Sequence, residues 1–338
     1  MGLQIGDIVP RTAIELEELK GKFIAIDAFN VIYQFLSSIR QPDGTPLMDN
    51  KKRVTSHLSG LFYRNINLMQ QGIKLMYVFD GKPPELKNKT HEIRQEAKEL
   101  AREKYQQALQ EEDIESMGKY SKSLTRLNQE MIDESKELLK ALGICVIQAP
   151  GEGEAEASFL SKEYKQIYAV GSQDYDSLLF QAPRLIQNLT LARKRKLASG
   201  FVYISPEIIE LEKVLNSLQI NQEQLICLGI LVGTDYNPGG IKGIGQKKAL
   251  EIVRKLKSPA VIFNSFPKDK LDFDWQEIFS LFKKPDVSRD VDISCPQLDE
   301  DKVRKILVEE HDFSLERVNS ALDKLKQGKE ERKQKTLF

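Results

Sequence analysis

Four short apolar runs stand out along the chain, and each leads into acidic side chains. They occupy residues 23–26, 75–79, 144–147 and 167–170 and are rich in Ile, Val, Tyr and Phe. Runs of this length and composition are typical of buried β-strands. Segments with helical spacing separate them, so the pattern predicts a mixed α/β fold with a largely parallel central sheet and helices on both faces.

Carboxylates follow every one of these predicted strands. In chain order they are Asp27, Asp80, Glu152, Glu154, Asp174 and Asp176. Because ligands bind beyond the carboxyl ends of parallel strands, we expect these side chains to converge at one edge of the sheet. Six carboxylates placed together repel one another unless cations lie among them, and oxygen ligands suit Mg²⁺ or Mn²⁺. The pattern therefore predicts a divalent-metal site.

A structural explanation competes with the metal hypothesis at each single position. An Asp that follows a strand is more often part of a turn or a helix N-cap than a ligand. Four strand ends that together carry two closely spaced acid pairs, Glu152/Glu154 and Asp174/Asp176, are not explained by capping alone. The metal interpretation therefore depends on the set of residues, not on any one of them.

Composition limits the classes of protein that fit. The chain has 338 residues, and its 50 basic and 50 acidic side chains cancel, so an anionic partner must bind to a local patch. Cys145, Cys227 and Cys295 are far apart and the three histidines are scattered, which predicts reduced core thiols and argues against a zinc site. The apolar run at residues 225–232 is too short to cross a bilayer, and we expect an intracellular protein without a membrane anchor.

Residues 85–126 differ in texture from the rest of the chain. They hold nine Lys or Arg and nine Asp or Glu residues, which fits a solvated helical pair with i,i+4 charge pairs. The segment directly follows the acidic strand end at Asp80, which favours instead a lid or arch over the metal site. Lys87 and Arg94 are seven residues apart, and on a helix they would share a face and could hold a phosphate beside the metals.

A basic run occupies residues 193–196. A solvated hairpin explains such a run, and contact with a DNA backbone is the alternative.

A glycine-rich segment at residues 239–245 follows the apolar helix predicted at residues 225–232 and a seventh acid, Asp235. Glycines let the backbone approach another surface, and the amides of a new helix near Gln246 favour phosphate. A tight turn between helices also explains the glycines. A phosphate loop is excluded because no strand precedes the segment and no G-x-x-x-x-G-K-[ST] is present. A helix–loop–helix that binds a DNA backbone fits better.

Six motifs in order carry a family resemblance. They are IDA at 26–28, YVFDGKPP at 77–84, APGEGEAEA at 149–157, SQDYD at 172–176, GTDY at 233–236 and GIKGIG at 240–245. In this order and spacing they resemble the structure-specific 5′ nucleases of the xeroderma pigmentosum G family, most closely the flap endonucleases of archaea and eukaryotes. The resemblance extends over residues 1–325.

The resemblance implies a set of metal ligands and catalytic cations. In the family two divalent metal ions, Mg²⁺ with Mn²⁺ as a substitute, are bound by the residues that match Asp27, Asp80, Glu152, Glu154, Asp174, Asp176 and Asp235. The residues that match Lys87 and Arg94 lie at the base of a helical arch and contact the scissile phosphate.

The resemblance also implies DNA contacts. The residue matching Gly2 lies near the active site, and the aromatic matching Tyr33 stacks near the substrate nucleotide. The turn at residues 240–245 resembles a helix–two-turn–helix element that binds duplex DNA through a K⁺ ion. Further DNA contacts are expected at Arg64, Gly240, Lys242, Gly243, Gly245, Lys247 and Lys248.

The expected organisation combines a nuclease core with inserted and appended parts. In chain order these are an N-terminal part of the core (1–84), a helical arch (85–130), an internal part of the core (131–220), the helix–two-turn–helix element (221–260), a C-terminal helical part (261–326) and a tail (327–338). In the tail Gln334, Leu337 and Phe338 resemble the first half of a sliding-clamp box, so clamp binding should be weakened. We expect a monomeric, archaeal-type protein that associates with DNA in the cytoplasm, or in the nucleus if the source is eukaryotic.

The expected activity is that of a 5′ flap endonuclease with 5′–3′ exonuclease activity, acting on branched DNA in Okazaki fragment maturation and base excision repair. A haloacid-dehalogenase-type phosphatase requires Asp-x-Asp after the first strand, and residues 27–29 read Asp-Ala-Phe. A 5′ exonuclease or a bubble-cutting repair nuclease of the same family stays open, although bubble-cutting members carry a long spacer that is missing here. A DNA-junction scaffold without catalysis also stays open, although it would not need seven carboxylates.

Overall fold

A computed structural model of the chain describes residues 3–41, 43–110, 120, 127–191, 194–197 and 200–335. Its centre is a seven-stranded sheet, and a separate two-stranded hairpin accompanies it. In chain order the strands are Thr12–Ala13 (β1), Phe23–Asp27 (β2), Lys74–Phe79 (β3), Cys145–Gln148 (β4), Ile167–Gly171 (β5), Arg184–Gln187 (β6), Lys194–Leu197 (β7), Gly200–Tyr203 (β8) and Glu207–Glu210 (β9).

The large sheet has the strand order β1-β9-β6-β5-β2-β3-β4. Its five central and edge strands β6, β5, β2, β3 and β4 are parallel, whereas β9 and β1 are added antiparallel. All five residues of β2 are buried, as expected for a strand covered on both faces. The predicted mixed, largely parallel sheet is confirmed.

Helices connect and cover the strands. They are Ala28–Ser38 (α1), Ser56–Gln70 (α2), Asn88–Gln110 (α3), Gln129–Ala141 (α4), Gly153–Glu163 (α5), Asp176–Leu179 (α6), Leu211–Leu218 (α7), Gln222–Val232 (α8), Gln246–Leu256 (α9), Pro259–Asn264 (α10), Trp275–Lys283 (α11), Glu300–Arg304 (α12) and Leu315–Lys335 (α13). Shorter 3₁₀ turns lie at Leu16–Leu19, Glu85–Lys87 and Lys268–Lys270, and a π-helical turn lies at Lys305–Glu310.

Two apolar cores lie on opposite faces of the sheet. Along β2, Ala25 packs into one core while Ile24 and Ile26 pack into the other, because successive strand side chains point to opposite faces. The first core includes residues of α5, α8, α9 and α11, and the second includes residues of α1, α2, α4 and α13. Helices therefore cover both faces, as the sequence predicts.

Three details of the fold bear on the predictions from sequence. The helix after Asp80 begins at Asn88, and Lys87 ends the preceding 3₁₀ turn. Arg94 lies on α3 and Lys87 ends the 3₁₀ turn directly before it, so a common face for the two side chains stays a prediction. Cys295 is exposed, which corrects its placement in the core, whereas Cys145 and Cys227 are buried and all three thiols are free.

Parts of the predicted arch lie outside the described residues. These are 111–119 and 121–126, so the arch stays a prediction beyond α3. The basic run forms strand β7 of a hairpin with β8, which agrees with the hairpin explanation, and residue 193 itself is outside the description. Among the described residues, no helix combines the length and apolarity that crossing a membrane requires.

Candidate metal centre

Three acids form the tightest group at the carboxyl edge of the sheet. Glu154 lies in the first turn of α5, Asp174 in the loop after β5, and Asp176 at the start of α6. Each offers a carboxylate oxygen, and these oxygens lie within 4.8 Å of one another. The crossover connection from β4 through α5 to β5 thus brings together acids that are about 20 residues apart in the sequence.

Hydrogen bonds fix one oxygen of these carboxylates and leave others available. The amide and hydroxyl of Ser177 donate to Glu154 Oε1, the amide at 3.0 Å, and the amide of Asp176 donates to Asp174 Oδ1 at 3.2 Å. Asp176 is only 4% exposed, and its Oδ1 has no hydrogen-bond partner among the described residues. Because buried polar atoms are nearly always paired, an unpaired carboxylate oxygen here fits a site for a cation.

Asp27 and Asp80 extend the group along the same edge. Asp27 is the N-cap of α1, and its Oδ1 accepts a hydrogen bond from the amide of Asn30 at 3.2 Å. Asp80 Oδ1 accepts from the amide of Gly153 at 2.7 Å, so it also serves the start of α5. A Cβ atom at Gly153 would lie 2.7 Å from Asp80 Oδ1 and 2.9 Å from the carbonyl oxygen of Val78, which explains the glycine. Both aspartates therefore have the capping role that competes with the metal hypothesis, yet each has a second oxygen.

The pKa values of these acids are raised mainly by burial and secondarily by neighbouring carboxylates. Burial, and next to it the charge of Asp80, raises the pKa of Asp27 to about 7. Burial also raises the pKa of Asp80 to about 6. For Glu154 and Asp176, burial and then the neighbouring Asp174 raise the pKa well above the ordinary value. A group of acids in this state binds either protons or cations at neutral pH.

Lys87 lies against the other half of the edge, where Glu152 and Asp235 are found. Its Nζ contacts Glu152 Oε1 and lies 3.8 Å from Asp235 Oδ2. Burial opposes the charged form, but Glu152, Asp235 and Asp80 outweigh it and raise the pKa of Lys87. Lys87 is therefore a charged ammonium at the edge, held at the end of a 3₁₀ turn directly before α3. For Arg94 the structure describes the backbone in α3 and not the side chain.

Sequence reasoning missed Tyr236. This residue is buried, and its hydroxyl donates a hydrogen bond to Glu152 Oε2. Burial and the charge of Glu152 raise the pKa of Tyr236 well above its ordinary value, so it stays a donor. Its position directly after Asp235 in the GTDY motif was the available signal.

The predicted DNA contacts of the N-terminal part of the core have different surroundings. The amide of Leu3 donates to Asp174 Oδ1 at 3.2 Å, while Gly2 is outside the described residues. Tyr33, on α1, is 41% exposed. Arg64, on α2, lines a small cavity that also includes Asn67, Asn188 and Pro206 and none of the carboxylates.

The glycine-rich turn forms a separate exposed surface before α9. Gly240 has a φ of +56°, and a Cβ atom there would lie 2.4 Å from the carbonyl oxygen of Leu231, so the turn packs backbone to backbone against the end of α8. Exposed residues of this surface are Lys242, Gly243, Gly245, Lys247 and Lys248. In the tail, Gln334 lies at the end of α13 with its side chain undescribed, and Leu337 and Phe338 lie outside the described residues.

Two family models match the chain. The XPG N-terminal domain matches residues 4–101, and the XPG I-region matches residues 143–235. These two ranges contain all seven acids of the predicted metal site as well as Lys87 and Arg94.

Relatives of known name match over the whole length. Flap endonuclease 1 of Pyrococcus furiosus is 55% identical over 339 aligned residues, covering 100% of this chain and 98% of that protein. Flap endonuclease 1 of Thermococcus onnurineus is 53% identical with the same coverage. The solved structure of flap endonuclease-1 from Methanococcus jannaschii is 42% identical, covers 97% of this chain and 98% of that one, and superposes with a TM-score of 0.77. The chain therefore belongs to the XPG family of nucleases and, within it, to the flap endonuclease 1 family.

Proposed function

We propose that this chain hydrolyses a DNA phosphodiester near the junction of single and double strand and so releases a 5′ flap, with divalent cations held by the carboxylate edge. The carboxylate edge comprises Asp27, Asp80, Glu152, Glu154, Asp174, Asp176 and Asp235. The observation that carries the proposal is that these acids lie together at a largely buried edge, where burial and neighbouring acids raise the pKa of Asp27, Glu154 and Asp176 although Lys87 contacts Glu152.

The donor set favours Mg²⁺, with Mn²⁺ as a substitute. All ligands are carboxylate oxygens, which hard divalent cations prefer, and the unpaired Asp176 Oδ1 offers a free position. Glu154, Asp174 and Asp176 would hold one ion, and the acids nearer Lys87 would hold a second. When bound, such a pair of ions supplies an activated water and stabilises the leaving oxygen.

The side chains of the edge act as holders, and the lysine acts on the substrate. The carboxylates keep the cations in place and need not transfer protons themselves. Lys87 Nζ, which now lies against Glu152 and Asp235, is placed to donate to a phosphate oxygen that enters between them. Arg94 lies farther along the same inserted segment, and we propose that it contacts the same phosphate.

Duplex DNA would bind at the glycine-rich turn. Lys242, Lys247 and Lys248 are exposed beside the N-terminus of α9, where backbone amides and positive charge favour phosphates. Contacts of this type follow the backbone and carry no sequence information, which suits an enzyme that acts at any junction. We extend the proposal to a K⁺ ion held there by backbone oxygens.

The cellular role follows from the substrate. Okazaki fragment maturation and base excision repair both generate 5′ flaps, and we propose these as the settings. The chain would act as a monomer and bind a sliding clamp through Gln334, Leu337 and Phe338.

The test is cleavage of a 5′-labelled double-flap DNA in Mg²⁺, compared with a nicked duplex and a bubble. Release of the intact flap near the junction, absent in Asp174→Ala, is the expected result. Release of single nucleotides would favour the exonuclease alternative, and preference for the bubble would favour the bubble-cutting one. Binding without cleavage in both Mg²⁺ and Mn²⁺ would favour the scaffold and contradict the proposal.

A further inference from the structure

Tyr236 lies between the carboxylate edge and a group of aromatic side chains in the first core. It is 3% exposed, and its ring lies edge-on to Phe282 with centroids 5.2 Å apart. Phe282, on α11, packs in turn on Phe180 at 4.8 Å. The tyrosine ring is therefore held by apolar contacts while its hydroxyl reaches toward the acids.

The backbone of Tyr236 is fixed as firmly as its ring. Its amide donates to Thr234 Oγ1 at 3.2 Å, and the amide of Thr234 donates to Asn237 Oδ1 at 3.1 Å. Asn237 Nδ2 donates to the carbonyl oxygen of Ile230 at 2.7 Å, near the end of α8. This closed turn leaves the tyrosine little freedom, so its hydroxyl is a fixed donor.

The acceptor of that donor is Glu152, which is buried at the start of α5. The Tyr236 hydroxyl donates to Oε2, and Lys87 Nζ contacts the other oxygen, Oε1. Lys87 Nζ also lies 5.6 Å from the centroid of the Tyr236 ring. The carboxylate is thus oriented from one side by a neutral, rigid group and faces a flexible cation on the other.

We propose that Tyr236 is a positioning residue that sets the orientation of the Glu152 carboxylate, so that Oε1 faces the place shared by Lys87 and a divalent cation. This inference rests on the proposed function. A tyrosine suits the task because it adds no charge and occupies a single lone pair of the carboxylate. Without the hydroxyl, Glu152 can rotate away and the cation loses a pre-oriented ligand.

The test removes the hydroxyl and nothing else. Tyr236→Phe is compared with Tyr77→Phe, since Tyr77 is likewise buried and its hydroxyl donates to Asn65 Oδ1 at 2.8 Å, away from the acids. Two readouts are Mn²⁺ affinity of the DNA-free protein by electron paramagnetic resonance and the Mg²⁺ dependence of single-turnover flap cleavage. Loss of a partner that orients a metal ligand typically costs about 10–100-fold, so Mn²⁺ affinity should fall by about that factor in Tyr236→Phe.

Flap affinity measured in Ca²⁺ should stay unchanged in both variants, and Tyr77→Phe should keep the parent's Mn²⁺ affinity. The Tyr236→Phe change should also vanish in a Glu152→Ala background, because the hydroxyl acts through that carboxylate. Unchanged Mn²⁺ affinity in Tyr236→Phe, an equal loss in Tyr77→Phe, or additive losses with Glu152→Ala would each overturn the inference. If the parent binds Mn²⁺ but cuts no DNA, the proposed function fails, while the Mn²⁺ measurements still decide the role of Tyr236.

Discussion

Two charged clusters of this chain can be compared. One is the carboxylate edge, and the other lies among the helices of the second core. The second one, the histidine cluster, consists of Arg53, Asp49, His311, Glu134 and His57. In that order, Arg53 Nε lies 2.8 Å from Asp49, Asp49 lies 3.2 Å from His311 Nδ1, His311 Nε2 lies 3.1 Å from Glu134, and Glu134 lies 3.4 Å from His57 Nε2. Acids and bases alternate along this chain of contacts, whereas the edge places acid next to acid.

The acids of the two clusters have pKa shifts in opposite directions. In the histidine cluster burial would raise the pKa of Glu134, but hydrogen bonds and charge from His311 and His57 prevail and lower it to about 2. Burial disfavours the charged form of His311, yet Glu134 and Asp49 raise its pKa. At the carboxylate edge, burial and like charges raise the pKa of Asp27 and Asp80 together.

The comparison separates structural from functional burial of charge. Acids and bases that satisfy one another hold elements together, and here they join α2 and α4 to the segment after the π-helical turn. Charges that repel one another in a folded protein destabilise it and persist where a ligand compensates them. Substitutions within a cluster, or at a residue that contacts one, test this distinction.

The largest effect is expected for Asp174→Ala at the carboxylate edge. Loss of a direct metal ligand should lower the single-turnover cleavage rate by more than the roughly 100-fold that loss of an orienting partner causes. Flap affinity should stay within several-fold, because phosphate contacts elsewhere carry binding. Unfolding in chelator should occur at a higher temperature than in the parent, since one repelling charge is gone.

Rate measurements on pre-bound flap DNA and thermal unfolding with and without Mg²⁺ check this prediction. An equal loss of cleavage and flap affinity would contradict the metal role of Asp174. Ser294→Ala, at an exposed position away from the edge, serves as the control substitution.

The next effect is expected for Glu134→Gln in the histidine cluster. Removing the central acid leaves two buried imidazoles without their shared partner, and breaking a buried pair in this way costs about 3 kcal/mol of unfolding free energy. Cleavage per folded molecule should not change, because no contact joins Glu134 to the edge within the described residues. Urea unfolding measures the first quantity and active-site titration the second. A stable variant with impaired cleavage would reverse the assignment of the two clusters.

The sequence predicts the edge far better than it predicts the histidine cluster. Parallel strands end at a common edge of the sheet. Acids that directly follow predicted strands are therefore expected to converge, and the local sequence pattern is enough to predict this. Asp49 and His311 are 262 residues apart in the chain, and no local pattern connects them. Their contact depends on how the C-terminal helices dock, which is a tertiary choice.

Lys87 and Tyr236 mark where prediction from sequence stops within the site. The seven-residue spacing predicts that Lys87 lies on one helix with Arg94. In the structure its amide donates a hydrogen bond to the carbonyl oxygen of Pro84, in a 3₁₀ turn directly before α3. Tyr236 looks like an ordinary core aromatic, and only its hydrogen bond to Glu152 distinguishes it. The ligand roles of the seven acids stay predictions. The structure shows both the hydrogen bonds to helix starts that a capping role requires and the close grouping of carboxylates that a metal site requires.

Lys87→Ala removes the ammonium group that contacts Glu152 and Asp235 at the carboxylate edge. The substitution should lower the single-turnover rate by about 100-fold, the low end for losing one donor to a developing charge, while flap affinity changes less. It should also tighten Mn²⁺ binding in the absence of DNA, because Lys87 now neutralises part of Glu152 and Asp235. Rapid-quench kinetics and Mn²⁺ titration measure the two effects. An unchanged rate would remove Lys87 from the reaction.

The smallest effect is a difference in how stability depends on pH. An acid whose pKa is higher in the folded than in the unfolded state contributes most below its unfolded value, and stability falls as the pH rises through the folded value. With folded pKa values of about 7 for Asp27 and about 6 for Asp80 against 3.8 unfolded, the edge should destabilise metal-free protein progressively from pH 4 to 7. The slope is at most about 1.4 kcal/mol per pH unit for each proton.

The pKa of Glu134 is shifted in the opposite direction, since its folded value of about 2 lies below the unfolded value of 4.5. Its contribution to the stability of the folded protein is therefore lost only as the pH falls through that range. The contribution of the carboxylate edge is measured by urea unfolding in chelator from pH 4 to 7. The parent is compared with Asp27→Asn, which removes one titrating acid beside Asp80, Asp174 and Lys87. The variant should lose less stability over this range, and saturating Mg²⁺ should flatten the slope of the parent. Identical slopes for parent and variant in chelator would mean that the edge is compensated after all, and the contrast between the two clusters would disappear.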